Sequence, residues 1–291
     1  MSRSYSSGTS HIGRRREMGQ AMTNLAARGR VARRPNRRRR GPARIFVYLA
    51  VPLAAIALWW LLSAGSDSLF FPPLSDILDR FRQMWVFAQF GSDVLPSLGR
   101  MFAGFILAVI GGVAVGVLLG SVRPLYQAVS PLIHFGRAIP APALLPIAMM
   151  MLGVGDQMKI LLIGFVCIFP VLLNTIDAVA SLDRGHEDVT RVFHFTRTQR
   201  VVYVLLPYSL PRIVAGARIS LSIALIMMIV TEMLAGTNGI GFVTLQAQQA
   251  FDIRGMWAGM ILLGLIGALL SIAFLWMERR LLTWNPNVSE S

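Results

Sequence analysis

Six stretches of this chain are apolar for long enough to cross a lipid bilayer, and few folds can accommodate that. A hydrocarbon layer ~30 Å thick offers no water to backbone amides, so a run of ~20 apolar residues satisfies them internally as a helix. The runs are Ile45 to about Ser66, Met101–Gly120, about Ala128 to Leu152, Ile160 to about Ala178, about Ile213 to Ala235, and Gly255–Met277. They predict an all-α membrane protein with six transmembrane helices. Composition points the same way: 55% of the 291 residues are hydrophobic and 14% charged, where a soluble domain carries about 25% charge. The single cysteine, Cys167, lies inside one run, which excludes internal disulfides and cysteine-based metal clusters.

Charge orients the spans. Residues 1–44 hold thirteen Arg and one acid, Glu17, and have too few large apolar side chains to form a core. The runs Arg14–Arg16 and Arg37–Arg40 lack interleaved aromatics and helical patterning, which argues against nucleic acid as a partner. A disordered cytoplasmic arm that touches anionic lipid is expected instead. With the N-terminus inside, the cytoplasmic segments and adjoining span ends contain 23 of the 28 Lys and Arg; only Arg80, Arg82, Arg100, Lys159 and Arg254 fall outside. The excess of positive charge on the cytoplasmic side predicts a multi-pass membrane protein with both termini cytoplasmic. The expected division is an arm over 1–44, a first helix over 45–66, an outer amphipathic connection over 67–96, a core over 97–284 and a tail over 285–291. In the connection, Leu74, Ile77, Leu78, Phe81 and Trp85 repeat at helical spacing after the Pro72-Pro73 break.

Within the spans, Gly112, Gly116 and Gly120 recur every four residues, a face for close helix packing. Pro140, Pro142 and Pro146 interrupt the third span and free backbone carbonyls, so that helix is expected to face the bundle interior. Pro170 predicts a kink in the fourth. Residues 236–254 read as an outer loop.

The one long polar interruption is the connection 181–212, expected on the cytoplasmic side. Val189, Val192 and Phe193 give a short amphipathic helix with one apolar face. Thr196 is positioned to cap a second helix running from Arg197 toward Leu206, where Pro207 is expected to end it. Such a helix between two spans has something to dock onto.

The spacing of this segment resembles the EAA loop of the membrane subunits of bacterial ABC importers: Glu-Ala-Ala, three residues, Gly, nine residues, an aliphatic, one residue, Leu-Pro. Leu206-Pro207 aligns with the Leu-Pro and Val204 with the aliphatic. Asp188 then stands at the Glu, Val189 and Thr190 at the two Ala, and His194 at the Gly, while Arg191, Thr196, Arg197 and Gln199 match common fillers. Asp keeps the charge with a shorter reach, and His is among the non-glycine residues more tolerant of positive φ. From about Pro96 to Trp284 the resemblance also includes Ser97-Leu98-x-Arg100, Phe135-Gly-Arg-Ala-Ile-Pro140, Gly153-Val-Gly-Asp-x-x-Lys159, and Glu232-Met-Leu-Ala-Gly followed by Gly239-Ile-Gly-Phe242. Together these are similar to permeases of the nitrate, taurine and aliphatic-sulfonate type. The resemblance implies a MetI-like, type I importer core in the plasma (inner) membrane that forms the pathway for a small solute, an organic or inorganic anion such as a sulfonate or nitrate. It further implies a second permease subunit, cytoplasmic ATP-binding subunits docked on the loop, and an extracytoplasmic substrate-binding protein. Asp188, Val189, Thr190, Arg191, Phe193, His194, Thr196, Arg197, Leu206 and Pro207 would form the coupling surface.

No P-loop is present, so ATP is expected to be split on a partner and the chain itself is not expected to be an enzyme. His11, His134, His186 and His194 show no metal-ligand spacing, and no cofactor is expected. An intramembrane ionisable group is costly unless paired or hydrated. Glu232 therefore either lines the mouth of a pathway or pairs with Arg254 or Arg100. Asp177 and Arg218, near span ends, either snorkel or form local salt bridges. Met149, Met150, Met151, Met227 and Met228 read as adaptable filler, and Pro140, Pro146, Met227, Met228 and Glu232 are the candidate pathway residues. An ion-driven secondary transporter is the alternative. It would need internal repeats and mid-depth charges, and the spans show neither clearly.

Overall fold

The computed structural model describes residues 42–65, 68, 70–182, 193 and 195–283. The chain divides into two units, residues 1–58 and 59–291. In the first, the described part is the helical backbone of α1 (Pro42–Ser63), which continues into the second unit. The second unit is built of helices: α2 (Leu74–Phe81), α3 (Leu95–Ser121), α4 (Arg123–Ala138), α5 (Leu145–Leu152), α6 (Asp156–Ala180), α7 (Arg197–Arg200), α8 (Leu206–Ala235), α9 (Ile240–Gln249) and α10 (Ile253–Leu281).

Four continuous helical stretches among the described residues are long and apolar enough to span a membrane: Phe90–Ser121, Asp156–Ala180, Thr198–Ala235 and Ile253–Leu281. A fifth crossing is available only if α4 and α5 count as one span, because they meet at 93°. The apolar part of α1, Ala50–Ser63, is shorter. The expectation of six spans is thus met by four, or five with the bent pair, and the third span is not one helix. Its break lies where the prolines put it. Ile139 precedes Pro140 and is extended (φ −71°, ψ 124°), since a proline's Cδ disfavours helical backbone in the residue before it. Pro142 then opens the 3-10 turn Ala141–Leu144.

The centre of the unit is the packing of α3 on α6. Gly104, Ala108, Gly112, Gly116 and Gly120 form one stripe along α3. A Cβ on Gly116 would stand 2.6 Å from Thr175 Cβ, and one on Gly112 2.9 Å from Val171 Cβ. The two backbones approach as closely as they do because no side chain separates them, which maximises dispersion contact where lipid supplies no hydrophobic drive. α8 packs on the same helix: a Cβ at Gly216 would meet the Pro170 carbonyl oxygen at 2.8 Å. Met101, Met158, Ile163, Cys167, Val171, Ala224 and Met228 fill the core between them. Pro170 leaves α6 a single continuous span, and Asn174 Nδ2 donates to the Pro170 carbonyl at 2.8 Å.

Two expectations change. Pro207 does not end a helix. It sits in the first turn of α8, where the missing N–H costs nothing, and the π-helical turn Val201–Leu205 carries the chain into it. The stretch 236–254 is no loop but contains α9, whose Ile240, Val243 and Ala247 are buried. In the third span Ile133 and Leu145 are buried, whereas Leu132, Phe135, Met150 and Met151 are exposed.

The connection before α3 also packs on protein. Leu74 and Ile77 of α2 are buried, and two π-helical segments, Arg82–Ala88 and Phe90–Val94, bury Trp85. α2 is held to the start of α10 by two ion pairs, Arg80–Asp252 at 2.6 Å and Arg254–Asp76 at 3.0 Å. Trp257 lies beside Trp59 and Phe71 and donates its indole N–H to the Phe70 carbonyl. Burial pushes the Asp252 carboxyl up, but the Gly255 N–H together with the hydrogen bond and charge of Arg80 and the charge of Arg254 outweigh it, so its pKa lies below the ordinary aspartate value.

Candidate functional site

The polar side chains that the sequence scatters over four elements meet at one end of the bundle. Arg100, on α3, is only 5% exposed and uses all three faces of its guanidinium. Nε donates to Asp156 Oδ1 at 2.7 Å, Nη1 to Glu232 Oε1 at 3.0 Å, and Nη2 to Asn238 Oδ1 at 2.7 Å. Glu232, fully buried in α8, also accepts from Ser97 Oγ at 2.6 Å and from the Gly241 amide at 3.0 Å. The orphan amides at the start of α9 are satisfied by side chains from elsewhere: Gly239 N–H donates to Asp93 Oδ1 at 2.7 Å and Ile240 N–H to Ser97 Oγ at 3.1 Å. Carboxylates there also complement the positive end of the α9 dipole. Gly239 has φ +116°, and a Cβ would fall on the Glu232 carboxylate; both facts require glycine. A buried charge is tolerated when it is paired and its remaining hydrogen-bonding positions are filled, and this cluster does both. Lys159, one turn into α6, is buried beside it.

Arg100, not Arg254, is therefore the partner of Glu232. Sequence reasoning named this pair as one of two and missed Asp93, Asp156 and Asn238. The signal was present: Ser97–Arg100, Gly153–Lys159, Glu232–Gly236 and Gly239–Phe242, the stretches that carried the resemblance, all converge here.

At the opposite end, where α6 stops and α8 begins, two side chains fasten the connection's ends together. Arg212 Nη1 donates to the Asp177 carbonyl at 3.1 Å and to Ser181 Oγ at 3.2 Å. Tyr208 Oη donates to the Ser181 carbonyl at 3.1 Å. Thr196 and Gln199 form a reciprocal capping box: Gln199 N–H donates to Thr196 Oγ1, and Thr196 N–H to Gln199 Oε1 at 2.9 Å. Asp188, Val189, Thr190, Arg191 and His194 lie outside the described residues. Phe193 is exposed beside Phe195; Arg197 opens α7, Leu206 is half-buried and Pro207 exposed. A cavity of about 480 Å³ lies beside this connection, with Arg123, Tyr126 and Arg200 in its wall. Arg218 reaches Glu278 at 3.9 Å.

Of the candidate pathway residues, Met227, Met228 and Glu232 are buried within the chain. Pro140 and Pro146 are exposed at the α4–α5 bend. Leu145, between them, shares the buried cluster of Met227 and Met228. Among the described residues no group of three or more His, Cys, Asp and Glu could hold a metal ion.

Known proteins resemble this chain over most of its length. Residues 108–283 match the family described as binding-protein-dependent transport system inner membrane component. Over 258 residues the chain is 29% identical to SsuC of Bacillus subtilis, named for aliphatic sulfonates transport, covering 88% of this chain and 92% of that protein. It is 28% identical to the taurine transport system permease protein TauC of Escherichia coli, covering 83% and 91%. It is 29% identical to the nitrate import permease protein NrtB of Synechocystis, covering 78% and 86%. Among solved structures, an inward-facing MetNI methionine ABC transporter chain superposes with a TM-score of 0.59 at 25% identity, covering 68% of this chain and 97% of that one.

Proposed function

From the match over residues 108–283 the chain belongs to the binding-protein-dependent transport system inner membrane components, and we infer what its importer carries and what drives it. The chain is the membrane-spanning permease subunit of an ABC importer. Its solute, in our reading, is a small organic or inorganic anion: the named relatives handle aliphatic sulfonates, taurine and nitrate, whose shared chemistry is an oxyanion. ATP-binding subunits dock on the connection 181–212 from the cytoplasm, a substrate-binding protein delivers solute from the other side, and a second copy of the permease completes the pathway. Asp188, Arg191, Phe193 and Arg197 belong to the docking surface.

The observation that carries the docking reading is the stapled connection. Arg212 and Tyr208 hold the end of α6 to the start of α8, so a push on the residues between them moves both helices together. A partner that binds this connection more tightly in one conformation of the bundle shifts the balance toward that conformation by the difference in contact energy. The Arg100 cluster, at the other end of the same helices, moves with them as a rigid block.

The test is ATP-dependent uptake by the complete importer in proteoliposomes. Asp188→Lys should abolish uptake while the permease still inserts and pairs, because it reverses the charge facing the ATPase. Undiminished uptake by that variant refutes the docking role.

A further inference from the structure

The cavity beside the α4–α5 bend is bordered by Arg137, which is exposed in this chain and has no counter-ion among the described residues. It has a volume of about 330 Å³ and is walled by Arg137 at the end of α4, by Phe165, Phe169 and Asn174 of α6, and by Ile219 and Ile223 of α8. Its depth follows from α6. A Cβ on Gly136 would touch the Phe169 ring at 3.0 Å, and Phe169 lies near the middle of that 25-residue helix. Among the described residues Arg137 makes no ion pair or hydrogen bond, whereas the ion pairs of the bundle use Arg80, Arg100, Arg218 and Arg254. An arginine at mid-depth is expensive, and such residues mark solute pathways or pair with protein groups; among the described residues no paired group is present.

The rest of the wall says what the cation is for. Asn174 spends one amide hydrogen on the Pro170 carbonyl, which fixes its side chain next to the cavity and leaves the second N–H as a donor. Phe165 and Phe169 pack edge to face, 5.3 Å between centroids, and with Ile219 and Ile223 they make the remainder apolar. A planar guanidinium at one side reads two oxygens of a sulfonate or carboxylate at once. The aromatic and aliphatic wall takes a carbon chain, which a bare inorganic ion would leave uncovered.

We propose that this cavity is a transport subsite for an organic oxyanion with an apolar body, its head on Arg137 and Asn174 and its chain against Phe165 and Phe169. The proposal rests on the importer reading and deepens it by naming the residues that read the solute. The bend supplies the site: only by breaking at Ile139–Pro140 does the chain bring the end of α4, with its charge, against the middle of α6.

The test measures binding to the permease–ATPase complex in nanodiscs, without the substrate-binding protein, using radiolabelled hexanesulfonate and methanesulfonate as probes. Saturable hexanesulfonate binding is expected in the wild type, weakened tenfold or more by Arg137→Ala and less by Arg137→Lys, which keeps charge without the fork. Phe169→Leu should reduce the preference for hexanesulfonate over methanesulfonate while retaining both, and it decides the matter if the Arg137 variants fail to insert. Equal affinity in Arg137→Ala, a preference untouched by Phe169→Leu, or no saturable binding in the wild-type complex overturns the subsite. Equal nitrate and hexanesulfonate affinity overturns the assignment of an apolar body. Uptake in proteoliposomes separates the two readings: a wild-type complex that imports by ATP but shows none of these effects keeps the importer and loses the subsite.

Discussion

Arg100 and Arg137 are both arginines of the helical unit, and their surroundings are opposite. Arg100 is buried and donates to two carboxylates and an amide oxygen on three other parts of the chain. Arg137 lines a cavity and donates to no described protein group. A cation whose bonds are all made within the chain holds the fold together and has nothing left for a solute. One whose bonds are unmade contributes little to folding and has its whole hydrogen-bonding fork available. The same residue type thus serves structure at the end of the bundle and, in our reading, recognition in its middle.

The comparison breaks most visibly at the buried pair. Arg100→Ala strands the Glu232 carboxylate in the core and should cost about 3–5 kcal/mol, read as a large fall in the thermal unfolding midpoint of the purified permease. Arg137→Ala should shift the same midpoint by no more than about 0.5 kcal/mol; a loss as large as that of Arg100→Ala would show that Arg137 is structural too. Next in size is the stripe that holds α3 on α6. Gly116→Val pushes a side chain into Thr175, and overpacking of this kind costs about 1–3 kcal/mol, with no change expected in the hydrogen bonds of Arg100.

The smallest effect concerns Asp252, which ties α2 to α10. Its folded pKa lies below the ordinary value, so its contribution is fully present above the ordinary aspartate range and is lost as pH falls through the lowered value. Both partners are partly exposed, which keeps the contribution modest. A spin label at Ser75 should gain mobility on acidification below the ordinary range. In Asp252→Asn the label should be mobile at every pH, and a wild-type label insensitive to acid would remove the latch from the account.

Much of this was legible before any coordinates. Apolar runs longer than the bilayer is thick fix helices, because a backbone without water has no other local solution, and α3, α6, α8 and α10 fall where the runs are. Glycines at four-residue spacing fix a packing face, since α-helical periodicity is a property of the chain alone. Thr196 marks a helix start for the same reason. Other features were beyond local reasoning. Prolines could be counted in the third span, but the size of the bend they produce, 93° between α4 and α5, could not. Gln246, Gln248 and Gln249 read as loop because α9 has its polar face at that end and its first backbone N–H groups donate to Asp93, Ser97 and Glu232, residues up to 146 positions away in the chain.

The sequence by itself determined the helices, their approximate ends and the faces on which they pack, since each depends on residues within a turn or two of one another. Only the tertiary structure decided which charges would meet. Ion pairing depends on distances of a few ångströms between residues far apart in the chain, and those distances exist only after α3, α6 and α8 have packed. The packing brings Arg100 to Glu232 and leaves Arg137 facing open space.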